Sequence, residues 1–126
     1  MPSHFLNSEQ IKNIHYELIE RFGGSHGIRD EGLLESAVGR YQQGYYSDII
    51  EEAAALMESL GGNHAFVDGN KRIAVTAAFT FLIVNGYEVQ LDDNQAYDFI
   101  VGLLETQSFK FDKLEPWIRE NVSKII

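Results

Sequence analysis

Apolar residues recur along this chain mostly at helical spacing. Ile11, Ile14, Leu18 and Phe22 fall on one face of a helix over 8–22. Asn7 can cap that helix, and Gln10, three residues on, can complete a capping box. Gly23-Gly24 predicts its end, because glycine takes the left-handed conformation at a helix C-terminus. A second helix starts near Asp30, turns Leu33, Leu34, Ala37 and Val38 inward, and ends at Gly39-Arg40. Tyr41 to Ser47 follows no stripe and reads as a loop or a short hairpin. Asp48 can cap a third helix with Ile49, Ala53, Leu56, Met57 and Leu60 inward, which Gly61-Gly62 stops.

A loop from Asn63 to Gly69 leads into a fourth helix over 70–85. It is apolar nearly all round, so it must be enclosed by the others. Gly86 ends it, and Tyr87 to Leu91 alternates as a short strand or extended link would. A fifth helix over 94–105 turns Ala96, Phe99, Ile100 and Leu103 inward. A sixth starts at Asp112, with Glu115 completing a capping box, Pro116 in the first turn and Trp117 anchoring it. There is no repeat, low-complexity tract or linker. The expected architecture is all-α: one domain over residues 1–126, about six helices around a buried central helix, with room for a small β-hairpin flap.

Composition narrows the function classes. At 126 residues and 44% hydrophobic, the chain can bury a core without staples. The absence of cysteine excludes a disulfide framework, a thiolate nucleophile and a cysteine zinc site. A net charge of −9 gives little pull toward nucleic acid or an anionic membrane, so neither is expected as a partner. The longest apolar run, Ile73 to Val84, falls short of the ~20 residues that span a bilayer. No basic stretch followed by an apolar run opens the sequence, so a cytoplasmic location is expected and the sequon at Asn121 is expected to be chance. His4, His15 and His26 show no metal-cage spacing and read as structural or solvated. The carboxylate pairs Glu51-Glu52 and Asp92-Asp93 read as solvated faces.

The informative stretch is His64-Ala65-Phe66-Val67-Asp68-Gly69-Asn70-Lys71-Arg72, at the start of the most buried helix. The first turn of a helix leaves N–H groups unpaired and carries the positive end of the dipole, which suits a phosphate. Gly69 lets backbone approach a ligand. Asn70 can cap or donate its amide. Lys71 and Arg72 add cations, and Asp68 is a hard oxygen ligand of the kind Mg²⁺ takes beside substrate phosphates. His64 could remove a proton from an incoming hydroxyl, and Phe66 reads as a packing anchor. Each residue also has an ordinary explanation taken singly: a polar surface histidine, an Asp-Gly turn, an Asn cap, a solvated Lys-Arg pair. Read together they favour an anion site, because two cations at a helix N-terminus oppose the dipole unless an anion sits there too.

This stretch resembles the signature of the Fic/Doc superfamily, His-x-Phe-x-(Asp/Glu)-Gly-Asn-Gly-Arg-x-x-Arg. Two positions depart from it: Lys71 stands for the second glycine and Val75 for the last arginine. Both departures are those of the death-on-curing branch, the Doc toxins of phage toxin–antitoxin modules. Arg21-Phe22-Gly23-Gly24 and the run from Gly27 to Arg40 also resemble that branch.

The resemblance implies a toxin that acts as a protein kinase. Such an enzyme transfers the γ-phosphate of ATP, with Mg²⁺, to a threonine of translation elongation factor Tu and so blocks translation. Carried over by position, His64 is the general base, Asp68 holds the metal, and Gly69, Asn70, Lys71 and Arg72 bind the phosphates. Lys71 narrows the anion site and adds charge, which suits a reversed nucleotide presenting its terminal phosphate. Val75 removes a phosphate contact that AMP transfer uses. AMP transfer to a protein hydroxyl and a non-catalytic binding module are the alternatives. The resemblance further implies an antitoxin whose disordered segment folds onto an apolar groove, and a target-docking flap at Tyr41–Tyr46. Whether Arg29 or Arg40 joins the site is left open.

Overall fold

Polar caps and apolar stripes fix where each helix begins and which face it buries. The structure, a computed structural model, describes residues 3–125. Its helices are α1 (Ser8–Phe22), α2 (Glu31–Arg40), α3 (Ile49–Asn63), α4 (Asn70–Val84), α5 (Asp93–Glu105) and α6 (Phe111–Glu120). Two short strands, β1 (Tyr87–Val89) and β2 (Val122–Lys124), complete it, and the fold is all-α in class. The α1 capping box forms as expected: Asn7 and Gln10 each accept the other's backbone N–H at 2.9 Å. Asp92 and Gln95 form the same box on α5, and Asp30 and Asp48 cap α2 and α3 by accepting the N–H three residues on.

The core sits between α3 and α4, which share the most extensive contact. Ala53, Ala54 and Ala55 on α3 and Ala74, Ala77 and Ala78 on α4 are all fully buried. Small residues on both helices let the backbones approach, while Leu56, Met57, Ile73, Phe81 and Leu82 fill the volume at the sides. Each such large side chain contributes about 1.5–3 kcal/mol on burial. The helices α1 and α5 and the strand β1 pack against α4 on its other sides, while α2 and α6 pack against α3, so α4 is the enclosed central rod the sequence predicts. At its end Asn85 donates to the carbonyls of Phe81 and His4 and accepts from the His4 N–H at 2.8 Å, tying the N-terminal segment to the rod.

The structure corrects four expectations for the helices, and Glu52, read as solvated, is buried. The helix α3 runs through Gly61-Gly62 to Asn63 instead of stopping there. A Cβ at Gly61 would stand 2.5 Å from Phe109 Cζ, so this glycine makes room for an aromatic ring and is no helix stop. The helix α6 starts at Phe111, and Pro116 lies inside it and not in its first turn. No side chain of α6 caps it; Glu58 of α3 accepts the Phe111 N–H at 2.8 Å, while Glu115 pairs with Arg119. Phe99 is not inward: it lies at the surface, stacked on Trp117 with ring centroids 4.3 Å apart.

Of the two readings of Tyr41–Ser47, the loop holds, since the segment makes turns and bends. The small antiparallel pairing forms between β1 and β2 instead, with Tyr87 opposite Lys124 and Val89 opposite Val122. Among the described residues no helix is long and apolar enough to cross a membrane.

Candidate functional site

The Ala65–Gly69 loop is held from three sides. Backbone pairing fixes its first half: Arg29 and Asp30 both donate to the Ala65 carbonyl, and Val67 donates to that of Gly27 at 3.0 Å. Ile28 and Phe66 thereby form an isolated bridge. Asn70 fixes the middle. Its Oδ1 accepts the Phe66 N–H at 3.1 Å and its Nδ2 donates to the Phe66 carbonyl at 3.0 Å. From beneath, His15 of α1 bonds the Asp68 carbonyl at 2.7 Å through Nε2 and stacks on Phe66, ring centroids 3.9 Å apart. A carbonyl only accepts, so Nε2 carries the proton. Phe66, 2% exposed, is the packing anchor the sequence predicts.

Gly69 is the N-cap of α4, at φ +75° in the left-handed region. A Cβ there would stand 3.1 Å from Ile19 Cδ1 and 3.4 Å from His15 Nε2. Conformation and space both call for glycine. Asn70 neither caps the helix nor turns its amide to a ligand, since its side chain is occupied by Phe66. What Asn70, Lys71 and Arg72 offer is their backbone N–H groups. The first N–H to find a partner belongs to Ile73, bonded to the Gly69 carbonyl at 2.9 Å. These three amides, at the positive end of the dipole, are open to an acceptor.

The charged groups converge on the same place. Lys71 is exposed and makes no ion pair among the described residues. The Arg72 guanidinium carbon lies 3.9 Å from the Phe22 ring centroid and 4.3 Å from that of Tyr97. Asp68 is exposed, its Oδ1 accepting the Gly69 N–H at 2.9 Å and its Oδ2 the Ser25 N–H at 3.2 Å. Each oxygen keeps a lone pair for a cation. The Asp68 carboxylate also touches Gly24, where a Cβ would stand 2.7 Å from Oδ2.

His64 ends α3 in the left-handed conformation, at φ +54° and ψ +45°. Arg29 sets that turn: its Nε donates to the His64 carbonyl at 2.6 Å and its Nη2 to the Asn63 carbonyl at 3.2 Å. His64 is exposed, and it lines the same cavity as the start of α4. A cavity of about 570 Å³ is lined by His64, Asp68, Gly69, Asn70, Lys71 and Arg72, with Phe22 and Tyr97 at its sides. That is within the ordinary range for a small-molecule site.

Six sequence-predicted residues are thus brought to one hollow, and two others are assigned elsewhere. Arg29 braces the turn at His64 and does not line the cavity. Arg40 is held within the fold by Tyr46, Ser59 and Glu58, at 3.0, 2.9 and 2.7 Å. In the Tyr41–Tyr46 segment, Tyr41 is fully buried with its hydroxyl donating to the Leu6 carbonyl, Tyr46 stacks on Phe111, and of the three tyrosines Tyr45 is the exposed one.

Sequence reasoning missed His15, Phe22 and Tyr97 as parts of the site. Burial holds the His15 imidazole below its ordinary value, so it is a neutral donor. Among the described residues no cluster of three His, Cys, Asp or Glu side chains could cage a metal. A divalent cation at Asp68 would therefore need oxygen ligands from a substrate, which is how Mg²⁺ is usually held beside phosphates.

The sequence is similar to that of known proteins. The sequence model of the Fic/DOC family matches residues 5–82, more than half of the chain. The chain is 49% identical over 76 residues to Toxin Doc of Mycolicibacterium smegmatis, a match spanning 56% of this chain and 58% of that protein. It is 33% identical over 101 residues to Protein kinase doc of Escherichia phage P1, spanning 77% of this chain and 79% of that one.

Proposed function

This chain belongs to the Fic/DOC family, in its death-on-curing branch, and we propose that it is the toxin of a toxin–antitoxin pair that works as a protein kinase. In this reading it moves the γ-phosphate of ATP to a Ser or Thr hydroxyl of elongation factor Tu. The observation that carries the proposal is that the exposed residue His64 and the residues opening α4 line one cavity of about 570 Å³. The residues present fit a triphosphate: among the described residues, three N–H groups at the start of α4 and the Lys71 ammonium have no partner, and the Arg72 guanidinium is held by rings and not by an acid.

His64 accepts the hydroxyl proton from the target as its oxygen bonds to the γ-phosphorus and the bond to the bridging oxygen breaks, releasing ADP. The amides of Asn70, Lys71 and Arg72 bear the phosphate charge, and the Lys71 and Arg72 side chains add to it. Asp68 would hold Mg²⁺, which supplies charge neutralisation across the phosphate oxygens when bound. The position of the family's last arginine is filled by Val75, which is 1% exposed and so brings no second guanidinium to the phosphates. That favours γ-phosphate transfer over AMP transfer. A second hollow of about 690 Å³ between α1 and α4, walled by Ile14, Leu18, Thr76 and Thr80, would seat the antitoxin segment. Leu18 lines both hollows, so an occupant there lies against the site.

The test is transfer to purified elongation factor Tu from ATP labelled at the γ- or at the α-phosphate. Label from the γ position alone is expected. The His64→Asn variant, whose amide tolerates the left-handed backbone but cannot act as a base, is expected to lose about 10²–10⁴ in rate. Label from the α position would establish AMP transfer, and ATP binding without transfer would indicate a binding module.

A further inference from the structure

Among the described residues, Lys12 pairs with Glu31, Arg40 with Glu58, and Arg119 with Asp48 and Glu115, while Arg29 is held by backbone carbonyls. Arg72 is held differently. Phe22, the last residue of α1, and Tyr97, in the second turn of α5, approach its guanidinium carbon to 3.9 and 4.3 Å. Three helix segments that are remote in sequence thus meet on one side chain at the wall of the cavity.

The difference matters for an anion site. A carboxylate would fix the guanidinium but would occupy its N–H groups and cancel its charge. An aromatic face attracts the cation through the ring quadrupole and leaves the in-plane donors free. Phe22 is 45% exposed, an unusual place for a phenylalanine on an otherwise inward stripe, and its ring is occupied by this contact. Tyr97 lies on α5, beyond residues 5–82, the segment the family model matches.

We propose that Phe22 and Tyr97 are positioning residues that hold the Arg72 guanidinium, without neutralising it, for the phosphate groups of the donor. The proposal rests on the reading that the cavity takes a triphosphate. It makes arginine at position 72 specific, because a lysine ammonium lacks the planar fork that stacks and donates at once.

The test is calorimetric titration of the full chain with ATP in the presence of Mg²⁺, alongside thermal melting of each variant. Tyr97→Leu and Phe22→Leu should each weaken binding about three- to tenfold. Tyr97→Phe, which keeps the ring, should bind as the unsubstituted chain does, and Arg72→Lys should not. In an Arg72→Ala background, Tyr97→Leu should have no further effect. The two ring substitutions are at separate sites, so if one variant fails to fold the other still decides.

Affinity within about twofold of the unsubstituted chain in both leucine variants would overturn the proposal. So would an equal loss from Tyr97→Leu with and without Arg72, which would mean that the ring meets the nucleotide directly. An unsubstituted chain that takes up no ATP would overturn the triphosphate reading itself, and this proposal with it.

Discussion

His15 reaches across from α1 to donate its Nε2–H to the carbonyl of Asp68, 53 residues away, at 2.7 Å. Removing that ring undercuts Asp68, Gly69 and Phe66 together. His15→Ala should cost about 2–4 kcal/mol of stability from lost packing and a lost buried hydrogen bond. It should also weaken Mg²⁺–ATP binding. His15→Gln, which retains a donor, should recover part of both, read from urea unfolding and titration.

The same ring sets a pH dependence. Burial lowers the His15 pKa, with nearby His26 lowering it further and the bond to Asp68 opposing. In the unfolded chain it titrates near 6.5. Between its lowered native value and that point the unfolded chain binds more protons. Its contribution is therefore fully present above about pH 6.5 and is lost as pH falls. Glu52 acts in the opposite sense, because burial raises its carboxyl above 4.5 and its contribution fades as pH rises through the raised value. Unfolding midpoints from pH 7 downward should drop more steeply in the unsubstituted chain than in His15→Gln; parallel curves would exclude this origin.

Gly61 and Gly62 are neighbours with opposite expectations. A Cβ at Gly61 meets Phe109 at 2.5 Å, whereas one at Gly62 meets nothing within 4 Å. Gly61→Ala should destabilise by about 1–3 kcal/mol through overpacking. Gly62→Ala, inside the same helix, should stabilise by about 0.5–1 kcal/mol. Gly61→Ala with Phe109→Leu should regain part of the loss, and thermal denaturation of the four proteins checks all of this.

Glu58 joins three elements by accepting from Arg40 and from the Phe111 N–H that opens α6. Its side chain is 25% exposed, so solvent screens part of the ion pair. Glu58→Ala should cost about 1–3 kcal/mol, mostly from the stranded amide and guanidinium. ATP affinity should not change, since neither Glu58 nor Arg40 lines the cavity. Arg72→Ala should show the reverse, a loss of affinity with a small change in melting temperature.

What could be read from sequence was local. Asn7, Asp30 and Asp48 cap helices with residues three positions away, and the stripe from Ile11 to Leu18 needs only helical periodicity. The stretch from His64 to Arg72 was legible as chemistry because its residue types clash with the helix dipole. What escaped was set by partners distant in the chain. Gly61 reads as a stop until Phe109 is seen across from it. Phe22 continues the α1 stripe yet turns to Arg72, and His15 resembles a solvated histidine until Asp68 lies above it. Asn70 offered two roles at the helix start and performs a third, upstream, on Phe66.

That last contact bears on the thermodynamics of ligand uptake. By grasping both backbone groups of Phe66, the Asn70 carboxamide closes a small ring that sets the shape of the turn from within the chain. Uptake then requires little freezing of main chain. Its calorimetric signature should be that of a rigid receptor, with a heat-capacity change no larger than the contact area alone produces.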